Sequence, residues 1–334
     1  VSVLQTPTLL PSNTTLGGER PNPYLEVPAL VVPNGKTLTI DGYVELPSLY
    51  VMNGGRVEIA AATATETPDA KLFLSSPSAT QPALYVGCTG VIDASGKGFL
   101  GGGAASQSSG GAPGRGVDND PTEGAPAGTG GSHGGRGGAA VLNTDALLGA
   151  PFDSPFWPTT PGGGGGGATS GGTAGGGSIE IYAVSGEVVI DGLVLANGAS
   201  GAGPTGAGGS ILVGASDFPD FDLADTANFP VVRGAGRIEA SGGASTAAGP
   251  TGSGGRIALW ARTTPSLETR LAAAGGATTS TTASEVGGAG TVYLHGGRAF
   301  PKPQDSSLPF VPYAETLIVD NAGRPTANVT VLPS

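Results

Sequence analysis

Four small groups in this 334-residue chain are of types that could do chemistry. Asp118, Asp120 and Glu123 would bring carboxylate oxygens close together. Ca²⁺ takes such hard ligands, about six to eight of them. Their spacing is not that of an EF-hand loop, and a solvated acidic turn explains them as simply. Asp217, Asp220, Asp222 and Asp225 form a second acidic stretch. Paired carboxylates can hydrolyse glycosides, and a β-helix lyase would add a base for the sugar carbon. The nearest Lys or Arg in sequence is Arg233, so catalysis is not expected there. His133 and Arg136, in GGSHGGRGG, could together meet an anion or a sugar. The plainer reading is a histidine hydrogen-bonded among glycine strands. Phe152, Phe156 and Trp157 form an aromatic-proline island. Trp157 could stack on a sugar ring; an island of this kind also caps an apolar end or meets a neighbouring subunit.

Several chemistries are excluded or disfavoured. The run of six glycines at 162–167 is not followed by Gly-Lys-Ser/Thr, so it is no phosphate loop. Ser210 follows a glycine pair into a strand, the wrong context for a nucleophile elbow. Cys88 is the single cysteine, which rules out an intrachain disulfide and a cysteine-based zinc site. A lone cysteine of this type is expected to be a small buried apolar residue. With 26 Asp+Glu against 15 Lys+Arg, the chain lacks the basic footprint of a nucleic-acid binder. No apolar run reaches the roughly 18 residues of a membrane span. Sparse charge with much Thr, Ser, Ala and Gly fits a secreted or cell-surface protein. The chain begins at Val1 instead of methionine, as a mature or excised segment would.

The elements that must position these residues are written as a repeat. Glycine makes up 62 of 334 residues, against about 7 % in ordinary proteins. Glycine-rich stretches end in a doubled glycine and pass directly into a strand at Ser178-Ile179, Ser210-Ile211 and Arg256-Ile257, and in degenerate form at Thr291-Val292. These starts lie 32, 46 and 35 residues apart. A second phrase, a strand closing on a small residue and Gly, recurs at 91–96, 193–198, 237–242 and 271–275. Short strands between Asn-Gly and Gly-Gly corners at 29–61 continue the pattern, whereas 62–80 reads as a loop around Lys71-Leu72-Phe73-Leu74. Such a period means that each unit buries its apolar face only by stacking on the next.

The phrases GGSIEIYA, GGSILV and GGRIALWA, with LVVPNGKTLTIDG, resemble the glycine-rich parallel β-helix repeats of large secreted bacterial surface proteins of the adhesin and autotransporter-passenger kind. The resemblance covers about residues 29–299 and implies an architecture; it carries no functional residues. The expected fold is therefore all-β, a parallel β-helix or β-solenoid with long ordered glycine-rich loops. Residues 1–28 are expected as an extended arm, 29–299 as the solenoid domain with a large insertion at 95–178, and 300–334 as a Pro-rich closing segment with a C-terminal strand. The insertion is expected to pack as a polyglycine II-like layer of side-by-side extended segments, because only glycine permits that backbone distance. Thr316 to Arg324 matches Ser48 to Arg56, so the chain end is expected to resume the pattern of its beginning. The functional expectation is a non-enzymatic structural or adhesive surface protein, without a cofactor unless Ca²⁺ binds. Its partners would be copies of itself and, on the alternative reading, a surface glycan that it binds or degrades.

Overall fold

A computed structural model of the protein describes residues 7–18, 22–63, 70–75, 81–103, 110–111, 124–139, 149–183, 186–215, 229–263, 265–267, 270–296, 314–330 and 332. The architecture is all-β, with one three-residue 3₁₀ turn at Ala283–Glu285 among the described residues.

Alternating Val, Ile and Leu set short strands that the chain visits in a fixed rotation of three. Seven of them, β1 (Thr8–Leu9), β3 (Leu30–Val32), β5 (Leu49–Val51), β8 (Leu84–Val86), β11 (Glu187–Ile190), β14 (Val231–Gly234) and β17 (Ser266–Leu267), form one sheet in that order, here called A. The other strands form a 13-stranded sheet with two arms. Arm B holds β2 (Thr14–Gly17), the first half of β4 (Thr37–Leu46), β6 (Arg56–Ile59), β9 (Val91–Asp93), β12 (Leu193–Leu195), β15 (Arg237–Glu239) and β18 (Arg270–Ala272). Arm C holds the second half of β4, β7 (Ala70–Leu74), β10 (Ser178–Ala183), β13 (Ser210–Gly214), β16 (Arg256–Ala261) and β19 (Thr291–Gly296). All these pairings are parallel. The closing strand β20 (Ala314–Ile318) alone runs antiparallel, on β19.

Side chains at equivalent positions stack coil on coil. Ile179, Ile211, Ile257 and Val292 lie in one rank, and Ile92, Val194, Ile238 and Leu271 in another. The first three of each rank are fully buried in a single apolar core between A, B and C. Burying one such side chain is worth about 1.5–3 kcal/mol. Corners are tied by side chains as well. Gly54 turns with φ of 75°, and a Cβ there would lie 2.3 Å from Asn34 Oδ1 of the previous coil. Asn53 Oδ1 accepts from Thr89 N, and Asp191 Oδ1 from Ala235 N, each on the following coil.

In the four later coils the chain leaves arm B, makes a glycine-rich excursion and returns to arm C. The described residues of these excursions, at 94–177, 196–209, 240–255 and 273–290, pack on one another beside the core. Their described residues belong to none of the strands. They are joined laterally by backbone hydrogen bonds such as Gly162 N to Gly176 O, Gly176 N to Ala207 O, Gly208 N to Ser253 O and Gly254 N to Gly288 O.

The doubled glycine is explained by close approach on two sides. The first glycine faces the next coil: a Cβ on Gly176, Gly208 or Gly254 would lie 2.0, 2.0 or 1.8 Å from the carbonyl oxygen of Ala196, Ala240 or Ala273. The second faces the previous coil: a Cβ on Gly209, Gly255 or Gly290 would lie 1.9, 2.1 or 1.9 Å from the oxygen of Gly177, Gly209 or Gly255. The fourth phrase has Ala289 in the first slot, and among the described residues no further coil stands beside it.

Four expectations are corrected. Lys71 to Leu74 belongs to strand β7, with Leu72 and Leu74 in the core, because its alternation continues arm C. Cys88 is exposed, because it occupies the A-to-B corner between Gly87 and Gly90, outside the core. Thr8–Leu9 pairs with β3 and Thr14–Gly17 with β4, and Leu10 and Leu16 are buried, so this part of the N-terminal segment is a first coil instead of the expected extended arm. Thr316 to Ile318 does not repeat the setting of Ser48 to Tyr50, which runs parallel, with Ser48 and Leu49 buried; it caps arm C antiparallel and exposed.

Candidate functional site

The convergent polar residues of the described chain meet where the glycine layer joins arm C. The last four parallel C strands, β10, β13, β16 and β19, begin with an outward polar residue, Ser178, Ser210, Arg256 or Thr291, aligned in register. Across this column lies the aromatic island, residues 149–160. Three outward side chains donate to its backbone: Ser210 Oγ to Thr160 O (2.7 Å), Arg256 Nε to Phe152 O (3.0 Å) and Trp260 Nε1 to Phe156 O (2.7 Å).

Asp153 is the centre of the cluster. It has φ of 68°, a left-handed conformation that few non-glycine residues adopt. That turn aims its carboxylate inward. Oδ2 accepts from Ser210 Oγ (3.2 Å), Thr159 N (3.1 Å) and Thr160 N (2.9 Å), and faces His133 Nε2 at 3.4 Å. Burial alone would raise the Asp153 pKa. The hydrogen bond and charge of His133, with the N–H groups of Thr160 and Ser154, outweigh burial and hold it below the usual carboxylate range. Arg256 also donates to Thr291 Oγ1. Burial pushes its guanidinium down to about 10 against the opposing pull of Asp153, which leaves it charged at neutral pH.

Serine, histidine and aspartate here do not make a hydrolytic triad. A triad needs one ring nitrogen on the serine and the other on the acid. In this site His133 Nδ1 donates to Gly208 O (2.8 Å), and Asp153 and Ser210 both face Nε2. Ser210 directs its proton to Thr160 O and Asp153. The His133 side chain is 0 % exposed and that of Asp153 7 %, so no substrate reaches them. What the arrangement does chemically is neutralise and hold buried charges, locking the island to the sheet.

The residues singled out by sequence are not brought together as one ligand site. His133 is the buried member of this cluster, against the Phe152 ring at 4.9 Å. Arg136 lies at a cavity of about 110 Å³ beside Thr129, Ser132 and Asn328. Trp157 is stacked on Tyr182 and edge-on to Trp260, part of a second apolar cluster on the outer face of C. Asp118, Asp120 and Glu123, and the stretch from Asp217 to Asp225, lie outside the described residues. Among the described residues no group of three or more His, Cys, Asp or Glu could hold a metal, and no helix is long and apolar enough to cross a membrane.

Sequence reasoning missed Asp153 and Arg256, whose chemistry appears only when residues about a hundred positions apart meet. It also missed a legible signal. A threonine stands three residues before each complete glycine pair: Thr173, Thr205 and Thr251. Each hydroxyl donates to the next coil, to the oxygens of Ala199, Gly243 and Gly276, and accepts from Gly206, Gly252 and Gly287 there. The fourth phrase has Val286 in this slot, and its carbonyl accepts from Thr326 and Asn328 of the tail. No protein-family model, characterised protein or solved structure matches this chain.

Proposed function

We propose that the chain is a β-solenoid with a polyglycine II-type side layer, serving as a rigid structural or adhesive element outside the cell and assembling with copies of itself. The observation that supports this most is where the polar chemistry goes. Hydroxyls of Thr173, Thr205 and Thr251, and the charges of Asp153 and Arg256, are spent on coil-to-coil and island contacts inside the molecule. An enzyme would present such groups to a cleft; a scaffold buries them. Low charge and abundant Gly, Ser and Thr suit an extracellular setting.

The mass of the native protein in solution, by light scattering with negative-stain imaging, tests the reading. Oligomers or filaments support it, and a monomer of 32.2 kDa at every concentration removes self-assembly.

A glycan-binding reading draws on one observation. Phe156 exposes its ring, and Tyr43 stands exposed on the same outer face of arm C. Aromatic faces of this kind can carry sugar rings, and a glycan screen with Phe156→Ala as control would separate the two readings.

A further inference from the structure

Exposed large apolar side chains are scattered singly on most soluble proteins. Here they are concentrated. Of the ten on described residues, eight lie at the two ends of the stack. Leu9 is on β1, Leu25 lies between β2 and β3, and Tyr43 is on β4, the first strand of arm C; Leu317, Ile318 and Val319 belong to the closing strand and its exit, and Val329 and Leu332 to the tail beyond it. The flanks between the ends carry only Met52 and Phe156 of this class.

The backbone at the ends has a matching character. In sheet A, β1 and β17 are the edge strands of an otherwise parallel ladder; in arm B, β2 and β18 are. Among the described residues no strand pairs with the outer edges of β1 and β17. A parallel edge offers its N–H and C=O groups to a strand running the same way. The outer edge of β17 and that of β1 therefore complement each other when two molecules stand in line with the same polarity. Each coil inside the chain already makes this contact with the next. Arm C differs, because β20 closes it antiparallel. The tail behind it seals the glycine layer with side chains: Asn321 Oδ1 accepts from Gly275 N, Arg324 donates to Gly275 O, and Thr330 to Ala289 O. At that sector the contact is apolar, made by side chains of the closing strand.

From these observations we infer that the partner of each end is the opposite end of a second copy, so that the chain associates head to tail into open rods. This rests on the self-assembly reading above and adds the surfaces and the polarity. A contact between two different faces does not close on itself by a two-fold axis; it propagates.

The test uses two end-blocked variants at exposed positions, Leu9→Lys at one end and Leu317→Lys with Val319→Lys at the other. Circular dichroism should match the wild type for both. The wild type should show a mass that keeps rising with concentration, in rods of constant width. Each variant alone should lose assembly, since every contact needs one blocked end. An equimolar mixture should form dimers and stop, because the intact end of each variant fits the intact end of the other. Lysine at both blocked ends keeps these from pairing with one another. Variants that assemble like the wild type, or a mixture that stays monomeric, overturn the head-to-tail contact while leaving self-assembly standing. A wild-type chain that remains monomeric removes self-assembly itself.

Discussion

The apolar core and the glycine layer lie side by side in the same coils and are held together by opposite means. In the core, side chains are everything: Ile179, Ile211 and Ile257 stack at full burial, and the backbone hydrogen bonds run along ordinary parallel ladders. In the glycine layer the side chain is absent, and carbonyl oxygens of one segment occupy the space where a Cβ would stand on the next. The core can yield to a change of shape by repacking neighbours. The layer has only backbone to move, and each backbone is hydrogen-bonded on several sides. Two regions with the same coil repeat should therefore differ sharply in what they tolerate.

The largest expected effect is Gly254→Ala. The added methyl would meet Ala273 O at 1.8 Å, and that oxygen belongs to the next coil's backbone. Thermal unfolding should show a loss of about 4 kcal/mol or more, the range kept for exceptional single changes. The core counterpart, Ile257→Val, removes a methylene at full burial and should cost about 1 kcal/mol. Equal losses in the two would abolish the contrast.

Asp153→Asn tests the joint between the regions. It keeps the shape and removes the carboxylate charge that accepts from Ser210 Oγ, Thr159 N and Thr160 N and faces His133, which should cost about 2 kcal/mol. It should also change the acid limb of the stability curve. The folded pKa of Asp153 is depressed below its unfolded value of about 3.9. Its contribution is therefore present above that unfolded value and is lost as pH falls through the folded one. Stability measured from pH 6 downward should fall less steeply for the variant; parallel curves would show that Asp153 is not a coupled charge.

Thr205→Val keeps the volume and removes a hydroxyl that donates to Gly243 O and accepts from Gly252 N. The orphaned backbone groups should cost about 2 kcal/mol. The smallest effect is expected for Ala289→Gly, in the first slot that faces no further coil among the described residues. Chain entropy alone should set it, at about 0.5–1 kcal/mol. A large loss there would mean that this alanine is itself a packing requirement of the layer.

Much of the architecture could be read along the chain because stacking demands local repetition. Ser178, Ser210, Arg256 and Thr291, picked out by the glycine pair before them, stand beside one another in the ladder. Lys71 to Leu74 escaped because its strand follows no glycine phrase; its alternation is the only mark it bears. The island at 149–160 escaped for another reason. Its carbonyls are met by Ser210, Arg256 and Trp260, each fifty or more positions away, and no periodicity encodes that encounter.

The repeat itself, its register, and the places where only glycine fits are properties of short phrases, since each coil must present the same small backbone to the coil beside it. Where His133 ends up, which carboxylate it meets, and that Thr316 to Ile318 turns back antiparallel while Ser48 to Tyr50 runs parallel depend on neighbours distant in the chain. The reason is physical. A glycine's lack of a side chain constrains its contacts wherever it stands, whereas a charge or an apolar strand takes its meaning from what covers it.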